Sequence, residues 1–303
     1  LNMFELRNPK IAVPVVLFAG LIWSFGPLVV RYMDDPHLIP WQYIFGRGLT
    51  IFILLNLYLF FEEGKNFYKN YQNLGLSGLI GGSGLGVAMI CFMFSITNTS
   101  AAITLLCLAA MPFFTAVLAY LFLKEKISLN VWVSIFIASI GIIIMALGNS
   151  EKNSLLGFVF GLTSSIGFSV FSVSLRWRKE TPKFTTVAIA GLFCFIFATI
   201  VLLITKQTFF STSYNSSMFS LHGTLVCLGL ILYSIGSKAI PAAELTLLSL
   251  TEVIGGIFWV WLPLFGINEI PSTNTIVGGF FLFISLVYYS LIMRWNKRYI
   301  ALN

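Results

Sequence analysis

Charge is scarce in this chain. Asp, Glu, Lys and Arg make up 10% of its 303 residues, against roughly 25% in soluble domains. With 58% hydrophobic residues and a mean hydropathy of +0.92, that scarcity excludes a soluble globule, whose interior could not hide so much apolar surface. Histidine is scarcer still, with two residues, His37 and His222. No acid–His–nucleophile spacing surrounds either, so neither an enzyme site nor a metal site is expected. His37, beside Asp34 and Asp35, reads as a solvated loop residue. His222 is expected to open the eighth apolar span near the outer interface. The four cysteines, Cys91, Cys107, Cys194 and Cys227, fall inside apolar segments with no CxxC pair, which argues against disulfides and thiolate metal sites. No phosphate-binding glycine loop is present, so no nucleotide, and no other cofactor, is expected to drive this protein.

What the chain does have is long apolar runs. Runs of about 20 residues can each cross a bilayer as a helix. Their continuity, without alternation, predicts an all-α integral membrane protein and not a barrel. Ten transmembrane helices are expected, near 12–32, 39–61, 74–96, 100–122, 129–148, 155–175, 184–205, 220–238, 242–265 and 273–293. The first run is long enough to span and no small-residue cleavage site follows it, so it reads as a helix and not a signal peptide. The longest polar connection is Gln207–Ser217, and no stretch leaves room for a soluble domain.

The cations fix an orientation. With the N-terminus in the cytoplasm, fourteen Lys and Arg fall on that side and three (Arg31, Lys152 and Lys206) on the other, with Arg47 inside the second span. This positive-inside bias predicts a multi-pass protein of the cytoplasmic membrane with both termini cytoplasmic. The net charge of +7 is then a matter of topology and lipid contact, with no nucleic-acid partner implied.

The chain also repeats itself. Thr104–Leu108 (TLLCL) lies over Thr246–Leu250 (TLLSL), an offset of 142, and Glu125 lies near Glu269 after each helix end. Gly20 through Gly26 matches Gly161 through Gly167 at an offset of 141. The halves are 1–150 and 151–303 with five spans each. Five is odd, so the halves enter the membrane in opposite directions, the inverted-repeat plan of secondary transporters. "LIWSFGPLVVRY" (21–32) and the stretch 94–145, with Ala101-Ala102, Pro112, Glu125 and Gly141, resemble the EamA branch of the drug/metabolite transporter superfamily. Residues 237–259 repeat that pattern, with one departure: Val253 follows Glu252 where the family commonly has Pro. The resemblance implies two EamA repeats and carrier-type transport, often efflux of amino acids or other small metabolites.

Two charges stand where the bilayer is most apolar. Glu252 is about ten residues into the ninth span, roughly 15 Å deep, where a carboxylate must face a cavity, find a partner or carry a proton. Arg47 lies about 12 Å into the second span, close to the same level. Their pairing with one another and their joint use as a substrate or proton site are both open. Glu244, eight residues before Glu252, falls on the same helical face or reaches the interface. Trp23, Tyr43, Phe92, Phe168, Tyr233 and Trp259 are the deep aromatics, suited to lining a site for amphipathic or cationic solutes. Pro27 and Pro112 are expected to kink the first and fourth spans. Gly82 and Gly86, in "GLSGLIGGSGLG" (75–86), and Gly255 and Gly256 are expected to serve close helix contact or a hinge.

The leading expectation is a gradient-driven carrier exporting an amino acid or an amphipathic or cationic solute by alternating access. Its partners would be a small-molecule substrate, membrane lipid, protons and, in some assemblies, a second copy in a homodimer. An uptake carrier or exchanger for a nucleoside, a vitamin-like compound or an osmolyte is the alternative. A membrane-embedded enzyme or a channel is the reading from another class.

Overall fold

The computed structural model describes residues 9–147, 155–178, 180–267 and 270–301. Arg7, Lys152, Lys179 and Glu269 lie outside them. In chain order the helices are α1 (Pro9–Trp23), α2 (Gly26–Tyr32), α3 (Pro40–Glu63), α4 (Lys69–Gln72), α5 (Gly75–Asn98), α6 (Ala101–Leu108) and α7 (Met111–Leu118). There follow α8 (Leu129–Leu147), α9 (Leu155–Trp177), α10 (Lys183–Ile204), α11 (Ser213–Gly236), α12 (Ala242–Leu248), α13 (Thr251–Trp261) and α14 (Thr273–Ala301). No strand occurs among the described residues.

Among the described residues, eight helical segments are long and apolar enough to cross a membrane: 11–32, 40–72, 75–98, 101–123, 155–177, 183–204, 213–236 and 242–261. Two further apolar helical stretches, 129–144 and 276–289, are shorter over the described residues. Large apolar side chains such as Phe61, Phe136, Leu203 and Phe280 point outward. In a bilayer that surface faces lipid, which leaves the core to be made by other means.

Those means are small residues. Lipid supplies no hydrophobic drive between helices, so close backbone approach must hold them together. Helix α5 lies between α9 and α10. A Cβ at Gly82 would stand 2.6 Å from Ile189 Cγ2, and one at Gly81 1.8 Å from Ser174 Oγ, so glycine on both faces lets the three helices close. Gly48 of α3 and Gly191 of α10 face each other the same way, each within 2.9 Å of the other's carbonyl oxygen once a Cβ is added. Helix α11 packs on α1 and α3, and α14 packs on α8, where Ser285 donates to the Ser134 carbonyl at 2.6 Å.

Polar contacts fasten both ends of the bundle. At one end Arg176 donates to Glu125 at 2.6 Å and to the carbonyls of Ser237 and Ile240, while Glu125 also accepts from the Ala242 amide. At the other, Arg31 donates to the carbonyls of Ile96 and Thr99, and the Asn215 side chain bridges the backbone of Asp34.

The eighth span differs from expectation. The polar stretch 207–217 is not all connection: α11 begins at Ser213, with the Thr212 hydroxyl accepting from the Asn215 amide as a cap. Ser220 and Thr224 return their hydroxyl hydrogens to carbonyls one turn back, which makes them compatible with a helix in an apolar setting.

Candidate functional site

Among the described residues, three spans are interrupted rather than continuous. The first breaks at Ser24-Phe25, with Pro27 in the first turn of α2, and the fourth at Ala109-Ala110, with Pro112 in the first turn of α7. Proline lacks the hydrogen needed to continue the preceding helix. The third break, at Ser249-Leu250 between α12 and α13, has no proline. Hydroxyls make it instead: Ser249 Oγ donates to the Thr246 carbonyl at 2.8 Å, and Thr251 Oγ1 lies 3.2 Å from the carbonyls of both Leu248 and Leu17. Gly20 permits this approach, because a Cβ there would lie 2.0 Å from Thr251 Oγ1.

The breaks border a small cavity of about 70 Å³. Its walls come from both halves of the chain: Trp23, Arg47, Leu85, Ala88, Met89, Phe92, Leu108, Met111, Ser164, Phe168, His222, Val226, Leu230 and Glu252. Five of the expected site residues therefore share one space: Trp23, Arg47, Phe92, Phe168 and Glu252.

Arg47 is 2% exposed. Its Nη1 donates to the Tyr43 hydroxyl at 2.9 Å and its Nη2 to the Met89 carbonyl at 2.6 Å, while Nε has no partner. The Tyr43 hydroxyl also bonds His222 Nδ1. Glu252, half-buried in the first turn of α13, makes no side-chain hydrogen bond and no ion pair among the described residues. The two charges thus face one cavity without pairing.

Tyr43 and Tyr233 stand behind the walls. Tyr233 bonds Ser172 at 2.6 Å and packs against Trp23 and Phe168, with ring centroids 5.5 and 5.2 Å away. Trp23 itself donates to the Val226 carbonyl at 3.2 Å. Two expected residues lie elsewhere. Trp259 donates to Ser24 Oγ at 2.8 Å and stacks on Phe25, bracing the break in the first span. Glu244 accepts from the Tyr289 hydroxyl of α14. The glycines are contact points: Gly86 lies against Phe193, Gly255 against Ser24 and Gly256 against Leu105.

His222 corrects the sequence reading. It is 2% exposed and lines the cavity instead of resting at an interface. Because α11 starts at Ser213 and not near 220, His222 is more than two turns inside the helix. The Thr212 cap was the available signal. Ser164, whose hydroxyl bonds the Ala88 carbonyl at 2.8 Å, is a second wall residue that the sequence did not single out.

Residues 10–147 match the EamA-like transporter family. A Helicobacter pylori protein named only as an uncharacterized transporter is 27% identical over 58% of this chain and 58% of its own length. The chain thus spans under two thirds of that relative. A Clostridium kluyveri protein of the same description is 26% identical over 72% of this chain and 73% of its own. A solved crystal structure at 16% identity covers 95% of this chain and 99% of its own with a TM-score of 0.69, a likeness of fold.

Proposed function

We propose that this chain, which carries an EamA-like transporter family domain over residues 10–147, is a secondary carrier for a small organic solute, working by alternating access. One observation carries the reading: a cavity walled by aromatic and aliphatic side chains from both halves holds Arg47 and Glu252 with neither paired to the other. Intramembrane charges turned toward a cavity mark substrate or ion pathways, and interrupted helices at such a cavity are a transporter device. The names of the relatives favour transport over catalysis.

The architecture that suits this function has ten spans in two inverted repeats, 1–150 and 151–303. The pattern of neighbours supports it. If the spans of one half are matched in order to those of the other, α5 on α9 has its mate in α11 on α1. Likewise α5 on α10 has its mate in α11 on α3, and the pairs α3–α10 and α8–α14 are their own mates. A twofold relation between the halves generates that list. The fourteen-to-three distribution of cations supports cytoplasmic termini in a cytoplasmic-type membrane, and export is the direction the family resemblance favours.

Reconstitution tests the function. Proteoliposomes preloaded in turn with amino acids, amines, organic acids, nucleosides and osmolytes should show saturable counterflow for at least one class. Flux that never saturates, or no protein-dependent flux for any class, would refute the carrier.

A further inference from the structure

Arginines close the bundle at both ends, and the two closures match across the halves. Helices α6 and α12 begin at Ala101 and Ala242, an offset of 141. At that offset the carbonyls of Ile96 and Thr99 correspond to those of Ser237 and Ile240. Arg31, at the end of the first span, donates to the first pair at 3.1 and 3.3 Å. Arg176, at the end of the sixth, donates to the second pair at 3.0 and 2.8 Å. Each half thus ties the end of its first span to the end of its third through the same two carbonyls. The arginines themselves do not share the offset. Arg31 is five residues past Gly26 and Arg176 nine past Gly167, about one helical turn more, yet both reach the matched pair. We propose that these clasps are the two gates of the carrier, Arg176 with Glu125 at the cytoplasmic mouth and Arg31 at the outer mouth, released in turn. This rests on the carrier reading and on its cytoplasmic termini.

What the clasps hold argues for gates. Arg176 also donates to Glu125 at 2.6 Å, and the other oxygen of Glu125 accepts from the Ala242 amide at 3.3 Å. Glu125 follows α7, and Ala242 opens α12. These are the cytoplasmic halves of the two interrupted spans that border the cavity with Leu108, Met111 and Glu252. A half-helix hinged at its break swings most at its far end, and this clasp holds both far ends. Arg31 holds the outer counterpart. It stands on α2, past the break in the first span, and its acceptor Thr99 directly precedes Ser100, the cap of α6. Between the cavity and the cytoplasmic clasp lies an aromatic plug. Phe171 and Tyr233 are fully buried there, and Tyr233 packs on Trp23 and Phe168 of the cavity wall. The chemistry of the cytoplasmic clasp suits release. The side chains of Arg176 and Glu125 are 26% and 19% exposed, so water can take over their hydrogen bonds when they part. A fully buried pair would leave a bare charge on parting.

One introduced thiol reads both gates. In the full chain in oriented proteoliposomes, V226C places that thiol in the cavity wall. The four native cysteines are buried, and the chain without V226C supplies their background. A membrane-impermeant maleimide is applied from one side or the other. R176Q and E125Q should each label about tenfold faster from the cytoplasmic side, as for removal of a contact of about 1.4 kcal/mol, and more slowly from the outer side. R31Q should do the reverse. R31Q combined with R176Q should return the ratio of the two rates toward that of the intact clasps. R176K is the milder variant, since lysine keeps the charge and loses the fork; it should move the ratio the same way as R176Q, by less. A static staple predicts otherwise: its loss lowers the unfolding temperature and leaves the two rates in their original ratio. That result, or R31Q and R176Q moving the ratio in the same direction, would overturn the inference. Saturable counterflow in the same liposomes leaves the carrier reading standing in either case. Its absence for every solute class is the separate failure, that of the carrier itself.

Discussion

Tyr43 is the residue on which the cavity's donor side depends, and replacing it with phenylalanine removes one oxygen and little else. The ring keeps its edge-on contact with Phe219, centroids 5.5 Å apart. Two hydrogen bonds disappear. The bond from Arg47, 2.9 Å long, involves a charged group and is worth about 1.5–3 kcal/mol; the bond to His222 is neutral and worth about 0.5–1.5 kcal/mol. Hydrogen bonds between helices in membranes average about 0.6 kcal/mol and reach about 1.7 kcal/mol, so the low ends of these ranges apply and the two sum to about 2 kcal/mol. Arg47 already has an unpartnered Nε; in the variant the Met89 carbonyl would be its one remaining hydrogen-bond partner among the described residues, beside the ring 4.8 Å from its guanidinium carbon. Binding must then reposition the guanidinium, and about 2 kcal/mol corresponds to a roughly 30-fold weaker Kd. Calorimetric titration in nanodiscs measures that ratio, and thermal unfolding of the same samples measures the loss of stability. A Tyr43→Phe protein whose Kd lies within twofold of the original, with an unchanged unfolding temperature, would refute the reasoning.

Glu252→Gln should fold normally and abolish any dependence of transport on pH, read as counterflow across a pH series; a profile identical to the unaltered protein would show that Glu252 takes no part in coupling. Gly26→Ala places a methyl 2.7 Å from His222 Nε2 and should weaken ligand binding more than it lowers the unfolding temperature, because the ring must turn from the cavity. Gly82→Ala puts its methyl 2.6 Å from Ile189 Cγ2 and 2.8 Å from the Thr186 carbonyl oxygen; a carbonyl in a helix does not yield, so a loss of about 1–3 kcal/mol is expected from overpacking. Gly279→Ala is the matched control, with nothing within 4 Å of the new methyl, and should hold or slightly raise the unfolding temperature.

The sequence was most legible where one residue type dictates geometry. Pro27 and Pro112 announced two of the three breaks because a missing backbone hydrogen acts locally. The break at Ser249-Leu250 was not legible, because it arises from Thr251 reaching the Leu17 carbonyl of another helix. That break also explains Glu244. Eight residues apart on one continuous helix, Glu244 and Glu252 would share a face; the interruption resets the phase, and Glu244 meets Tyr289 while Glu252 meets the cavity. Counting rise per residue was enough to suggest that Arg47 and Glu252 could meet one space, as the shared cavity has it, whereas their failure to pair depends on Tyr43 and Met89, which no spacing rule connects to Arg47. His222 was misplaced because hydroxyl-rich sequence reads as loop, although those hydroxyls satisfy their own helix.

The joint between α12 and α13 has a mechanical consequence. In hydrocarbon, a helix that bends at a proline frees carbonyls that other groups must satisfy. Here the opened Thr246 carbonyl is met by the Ser249 hydroxyl hydrogen, and the single hydroxyl hydrogen of Thr251 is within reach of both the Leu248 and the Leu17 carbonyl. Each hydroxyl turns about a single bond, so it can follow its carbonyl as the angle between the half-helices changes. A joint of this kind keeps its carbonyls paired over a range of angles, because the groups that pair them can re-aim.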